Sequence, residues 1–147
     1  MCEMNCVDTN GKRTTSIDSQ VLELSEIDEK NAKYYLGVDV GSISTNLAVL
    51  NHHRELIGRV YIRTEGKPIQ SVQRGVSLLK EQLGADFPIM GAATTGSARQ
   101  LTGMLIGADI VKNEITAHAL AALNFRKDTQ TVIEIGGQDS KIIILRD

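Results

Sequence analysis

The 147-residue chain lacks the features that mark several large functional classes of protein. Aromatic residues make up only 3% of it and tryptophan is absent, which argues against nucleic-acid binding through base stacking. The formal net charge of −2 gives no electrostatic reason to expect a nucleic-acid or membrane-surface partner. No apolar run approaches the roughly 20 residues that span a bilayer, and the first residues show no secretory signal. We therefore expect a cytoplasmic protein that binds neither nucleic acid nor membrane.

Cysteine is also scarce, since Cys2 and Cys6 are the only two. They lie in a polar stretch, and two thiols are too few for structural zinc, which usually takes four ligands. We expect both to be reduced thiols outside any metal site. The segment 1–33 shows no sustained hydrophobic period, and we interpret it as an extension or linker before a domain that covers residues 34–147.

From residue 34 onward the hydrophobic pattern is regular enough to predict secondary structure. Three β-rich runs predict an antiparallel meander, and an apolar stripe then predicts a helix that begins at Pro68 and stops at Gly84. Strands alternate with two more helices after it, the second helix with Leu101 and Leu105 on one face and the third with Ile115 inward. This order, β-β-β-α-β-α-(β)-α-β-β, predicts an α/β fold with a mixed sheet. The predicted strands are 34–40, 46–50, 56–64, 88–93, 108–111, 131–135 and 141–145.

Two short glycine loops stand out in this pattern, at residues 37–42 (GVDVGS) and 134–141 (EIGGQDSK). Each follows an apolar run that predicts a buried strand, and each leads into a second strand. Glycine lets backbone N–H groups approach a ligand closely, which a polyphosphate requires. We therefore predict a pair of loops that clamp a phosphate chain. The candidate nucleotide-binding residues are Gly41, Ser42, Ile43 and Ser44 in the first loop and Gly136, Gly137, Gln138 and Lys141 in the second.

Each loop also contains carboxylates, which suit the divalent cation of a nucleotide. Asp39 lies in the first loop, and Glu134 and Asp139 flank the glycines of the second. Mg²⁺ gives up its waters reluctantly, so we expect these side chains to hold it through water. The alternative interpretation is that both segments are tight hairpin turns that need glycine. Because carboxylates recur at matching positions in the two loops, we favour a phosphate and cation site over two plain hairpin turns.

Glu114 is the candidate catalytic residue. It begins the predicted third helix, directly after Asn113 as the N-cap. Carboxylates are common there because they interact favourably with the helix dipole, so position alone does not require a catalytic role. If the side chain points into the cleft, it can orient an attacking water.

These segments resemble known nucleotide-binding motifs. The first loop resembles the phosphate-1 motif of the actin, Hsp70 and sugar-kinase superfamily, and the second resembles its phosphate-2 motif. Residues 113–117 (NEITA) resemble the Hsp70 segment whose glutamate positions the hydrolytic water. Together with residues 93–99 (ATTGSAR), they resemble the ATPase activators of 2-hydroxyacyl-CoA dehydratases and the related benzoyl-CoA reductase ATPase subunits. The resemblance covers residues 35–147 and implies a ribonuclease-H-like core, as in actin-like ATPases.

The resemblance implies a function as well. In that family a homodimer holds one [4Fe–4S] cluster between its subunits, and ATP binding and hydrolysis drive an electron to a partner dehydratase or reductase. It therefore implies ATP or ADP with Mg²⁺ as the ligand of this chain. The cluster's cysteines lie beyond the second phosphate loop in the family, so they are not in this chain. We expect the chain to be the first lobe, plus one hairpin, of a longer protein, with little or no ATPase activity alone.

The sequence is also compatible with two other functions. A small-molecule kinase can use the same fold, although no acceptor site or acceptor-side carboxylate is evident in the sequence. A non-catalytic module that binds nucleotide weakly or assists assembly is the third interpretation, because half of a clamp buries little ligand surface.

Overall fold

The computed structural model describes residues 6–7, 13–14, 33–84 and 87–146. Two short strands, β1 and β2, pair with each other in antiparallel fashion inside the segment predicted to be an extension or linker. The strands are β1 (Cys6–Val7), β2 (Arg13–Thr14), β3 (Tyr34–Val40), β4 (Ser44–Asn51), β5 (Leu56–Arg63), β6 (Ile89–Thr95), β7 (Ile110–Val111), β8 (Thr131–Ile135) and β9 (Ser140–Ile144). The helices are α1 (Pro68–Leu83), α2 (Arg99–Ile106) and α3 (Glu114–Phe125).

Five strands form a mixed sheet in the order β5-β4-β3-β6-β7. The meander β3-β4-β5 is antiparallel, whereas β6 and β7 run parallel to β3. The predicted α/β class, mixed sheet and element order from residue 34 are confirmed. In the register of the sheet, Asp39 on β3 lies between Asn46 on β4 and Thr95 on β6.

The core lies between this sheet and α1. Alternate residues of β3 and β4 point inward, as a strand with one buried face requires. Helix α1 brings Val72 and Leu79 against them, and Gly75 is a glycine because a side chain there would overlap with Leu47. The fully buried apolar side chains are Val38, Val40, Leu47, Val49, Val72 and Leu79.

Strands β8 and β9 form a separate antiparallel hairpin, and its burial contradicts one prediction. The run 131–135 was expected to be a buried strand, but Ile133 and Ile135 expose 68% and 80% of their surface. Ile142 and Ile144 on β9 are exposed as well, and only Ile143 is buried. The apolar run predicts the strand correctly, but it does not specify which faces are covered.

Several apolar side chains of α2 and α3 are also exposed. In α2 the buried residues are Thr102 and Gly103, whereas Leu101 and Leu105 are exposed. Gly103 allows close approach, since a Cβ there would lie 2.9 Å from Val111. Ile115 was expected inward, yet it is half exposed. None of the described residues of α3 is buried, so its apolar composition does not reflect core packing.

Among the helices that the structure describes, none has both the length and the apolar character needed to cross a membrane.

Candidate functional site

The first glycine loop is a tight turn between β3 and β4. The N–H of Gly41 donates to the carbonyl oxygen of Ser44 at 2.9 Å, which closes the turn. That donor is therefore engaged inside the loop. The N–H groups of Ser42 and Ile43 have no acceptor among the described residues, so they are the donors that remain for a ligand.

Thr64, just after β5, is hydrogen-bonded to this loop through both its backbone and its side chain. Its N–H donates to the carbonyl oxygen of Ile43 at 2.9 Å, and its hydroxyl donates to that of Gly41 at 2.8 Å. The hydroxyl of Thr45 lies 2.9 Å from the same side chain, and both threonines are buried. These bonds fix the loop to the sheet. Sequence reasoning treated Thr64 only as the end of a strand.

A third segment, the turn after β6, lies against the first loop. Gly96 has a φ of 90°, and a Cβ there would lie 2.5 Å from both Oδ1 of Asp39 and the carbonyl oxygen of Val40. The N–H of Ala98 donates to that same carbonyl oxygen at 3.0 Å. Only glycine fits so close to the Asp39 carboxylate. No pattern in the sequence indicates that Gly96 lies against Asp39.

The second glycine loop is also a closed turn, and it touches the first. The N–H of Gly136 donates to the carbonyl oxygen of Asp139 at 2.9 Å. A Cβ on Gly137 would lie 2.5 Å from Cγ1 of Ile43, so the tips of the two loops are in direct contact. The prediction that the two loops form one clamp stays a prediction, but the structure does bring them together.

Four charged side chains meet beside the second loop. Nζ of Lys141 lies 2.8 Å from Oδ2 of Asp139, 3.1 Å from Oε2 of Glu114 and 3.3 Å from Oε2 of Glu134. Hydrogen bonds to Asp139 and Glu114 raise the pKa of the Lys141 ammonium, so it stays charged at neutral pH. Glu114 reaches this cluster because Asn113 caps α3, its Oδ1 accepting from the N–H of Thr116 at 2.8 Å.

Asp39 belongs to the same electrostatic environment. Burial raises the pKa of its carboxyl, and the negative charges of Glu114 and Glu134 raise it further. His118 and a hydrogen bond from Asn46 act in the opposite direction. An elevated pKa means that a further positive charge nearby would be stabilising.

The carboxylates suit a hydrated cation better than a directly coordinated one. In the described part of the chain, no three His, Cys, Asp or Glu side chains converge closely enough to hold a metal ion directly. Yet Asp39, Glu114, Glu134 and Asp139 outnumber the single ammonium of Lys141. This donor set is compatible with a Mg²⁺ ion that keeps its waters, and its binding by Asp39, Glu134 and Asp139 stays a prediction.

Two buried polar atoms near the site have no hydrogen-bond partner in the described residues. Oγ1 of Thr95 and Nδ1 of His118 are buried with no hydrogen bond. Thr95 is the register partner of Asp39, and His118 interacts with Asp39 electrostatically. Gln138, at the tip of the second loop, is exposed. The spacing of four residues between Glu114 and His118 predicts that they share a helix face, with His118 in a packing or Glu-orienting role, whereas no sequence pattern identifies Thr95.

The sequence profile of the BadF/BadG/BcrA/BcrD ATPase family matches residues 36–147. The chain belongs to this family. The resemblance inferred from the glycine loops and the 113–117 segment is thereby confirmed, and the ribonuclease-H-like, actin-like ATPase fold with it.

Named relatives agree with this membership. The (R)-2-hydroxyglutaryl-CoA dehydratase activating ATPase of Acidaminococcus fermentans is 30% identical over 116 residues, which cover 75% of this chain and 42% of that protein. The activator of lactoyl-CoA dehydratase of Anaerotignum propionicum is 30% identical over 115 residues, covering 78% and 43%. The chain thus spans less than half the length of these relatives.

A solved structure supports the fold. The activator of the 2-hydroxyisocaproyl-CoA dehydratase from Clostridium difficile, which has bound ADPNP, superposes with a TM-score of 0.69 and 26% identity. The match covers 77% of this chain and 41% of that one.

Proposed function

We propose that this chain is the nucleotide-binding lobe of an ATP-dependent reductive activator of a CoA-substrate enzyme. The observation that carries the proposal is the contact between the two glycine loops, where Gly137 lies against Ile43 beside a cluster of carboxylates. Family membership and the ADPNP bound to a structural relative support a nucleoside triphosphate as the ligand.

Each part of the site then has a role. The free N–H groups of Ser42 and Ile43 bind phosphate oxygens, and the second loop closes from the other side. Asp39, Glu134 and Asp139 hold hydrated Mg²⁺, which offsets the charge of the phosphates. Glu114 orients the attacking water. Catalysis by such a site comes mainly from positioning and electrostatic stabilisation.

The proposal extends to partners and location. The names of two relatives, both dehydratase activators, support a 2-hydroxyacyl-CoA dehydratase as the partner. We further propose, from the family resemblance alone, that the whole protein is a cytoplasmic homodimer and that a related reductase is the alternative partner. The [4Fe–4S] cluster that the family implies does not fit the residues at hand. A cluster takes four ligands, and residues 33–146 contain no cysteine. The described domain therefore supplies no cysteine ligand to such a cluster.

The first experiment measures nucleotide binding to the 147-residue chain by calorimetry, with ADPNP and Mg²⁺. We expect Asp39→Asn to weaken binding at least tenfold because it removes a carboxylate from the cation's shell. Asp128→Asn is the matched control, since Asp128 is exposed and forms an ion pair with Arg126 away from the two glycine loops. Equal affinity in the wild-type chain and Asp39→Asn would contradict the proposal.

A small-molecule kinase remains the second candidate for this fold. The discriminating measurement follows the γ-phosphate of labelled ATP. Release as inorganic phosphate, however slow, supports the activator, whereas transfer to a sugar or organic acid would support the kinase. Binding without either reaction is the expected behaviour of this chain by itself and of a non-catalytic module.

A further inference from the structure

Lys141 contacts three separate segments of the chain. Its ammonium touches Glu114 at the start of α3, Glu134 at the end of β8 and Asp139 in the turn that follows. Only 20% of its side-chain surface is exposed. Nζ donates hydrogen bonds to Glu134 at 3.3 Å and to Asp139 at 2.8 Å, and it forms an ion pair with Glu114 at 3.1 Å. Three carboxylates thus surround the ammonium, whereas the sequence predicts a phosphate as its partner.

Helix α3 needs such a contact more than the other helices do. None of its described residues is buried, so core packing does not set the direction of the Glu114 side chain. The Asn113 cap fixes the first turn of the backbone but does not touch the carboxylate. Among the described residues, Lys141 is the ion-pair partner of the Glu114 carboxylate.

We propose that Lys141 is a positioning residue, which holds the carboxylate of Glu114 against the second glycine loop. The inference rests on the proposed function, because Glu114 is the residue that orients water there. Because Lys141 belongs to β9 and contacts Glu114 on α3, a movement of the β8–β9 hairpin also moves the Glu114 carboxylate. A movement of the second loop towards the first would therefore also position the candidate catalytic residue.

The test is amide hydrogen exchange of the 147-residue chain without nucleotide, followed by NMR. We expect Lys141→Met to speed exchange of the Thr116 and Ala117 amides, in the first turn of α3, by about fivefold. This factor corresponds to the upper end of the stabilisation that a partly exposed ion pair provides. Glu114→Gln should speed exchange at the same amides and also in the β8–β9 hairpin. The double variant should be no faster than either single one. Lys141→Arg should restore protection, because its guanidinium also reaches the three carboxylates.

Lys127→Met is the control, since Lys127 is exposed and makes no ion pair in the described ranges. Effects of Lys141→Met confined to the hairpin, or additive effects in the double variant, would overturn the proposal. So would loss of ADPNP affinity in Lys141→Met with unchanged exchange in α3, which is the result expected if Lys141 donates to a phosphate.

If Lys141→Met does not fold, Glu114→Gln alone decides, because unchanged exchange in the hairpin would contradict a connection between Glu114 and the hairpin through Lys141. Exchange is measured without nucleotide, so failure here is distinct from failure to bind nucleotide.

Discussion

The two hairpins that carry the glycine loops are supported in opposite ways. Strands β3 and β4 lie at the centre of a five-stranded sheet, and their inward side chains are fully buried against α1. Strands β8 and β9 stand apart as a pair, with four isoleucines exposed. The first loop therefore takes its geometry from a core, whereas the second is placed by a few contacts with Ile43 and Glu114. A rigid half and an adjustable half suit a site that closes on a ligand.

The largest expected difference between the hairpins is in stability. Leu47→Ala removes a fully buried side chain from the first, and we expect the free energy of unfolding to fall by about 2–5 kcal/mol. Ile133→Ala in the second removes an exposed side chain and should change it by less than about 0.5 kcal/mol. Urea denaturation measures both. Similar losses in the two variants would show that the β8–β9 hairpin is buried after all.

Gly96 tests how tightly the first loop is packed, and Gly84 provides a control with the same φ of 90°. A methyl group at 84 meets nothing within 4 Å, whereas at 96 it overlaps with Asp39 and Val40. Gly96→Ala should therefore lower the free energy of unfolding by about 1–3 kcal/mol more than Gly84→Ala. It should also abolish ADPNP binding. Equal losses from the two substitutions would mean that backbone conformation, and not the contact with Asp39, requires glycine.

Gly137 tests the contact between the loops. Gly137→Ala places a methyl group on Ile43, so we expect ADPNP affinity to fall about tenfold while the sheet keeps its stability, a change of about 1.4 kcal/mol in binding. Adding Ile43→Ala should recover most of that affinity, because it removes the atoms that clash. Calorimetry measures both variants. Unchanged affinity in the single variant would show that the loops do not close together.

The smallest expected effect is on the pH dependence of stability. Because the pKa of Asp39 is raised in the folded state, this carboxyl is protonated more in folded than in unfolded protein between about pH 4, the ordinary pKa of aspartate, and its raised pKa. The charged carboxylate thus lowers the free energy of unfolding at neutral pH, and this loss shrinks as the pH falls through the raised pKa and is gone below about pH 4. Asp39→Asn should be slightly more stable than wild type at pH 7, with the difference shrinking towards pH 4. A variant less stable at pH 7 would contradict the sign.

The comparison also explains what the sequence could predict. The alternation of buried and less buried residues in 34–40 and the apolar stripe along α1 predict a strand and a helix correctly. They do so because the residues that form each pattern also form the core. The run 131–135 has the same apolar character, but whether a strand is covered depends on neighbours that a local pattern does not show. The loops and Glu114 were found from local chemistry. The approach of Gly96 to Asp39, and of Lys141 to its three carboxylates, depends on residues far apart in sequence.

The register of the sheet has a consequence for how the site tolerates change. Asp39, Asn46 and Thr95 occupy one row across three strands, and side chains in one row share a face. Successive residues of a strand face opposite sides, so deleting one residue between 34 and 38 would exchange odd for even positions along β3. Asp39 would then turn away from the site while the composition of the strand hardly changed. The site therefore depends on the number of residues in β3 as well as on their identity. A substitution in β3 alters the site gradually, whereas a single-residue insertion or deletion moves Asp39 out of it.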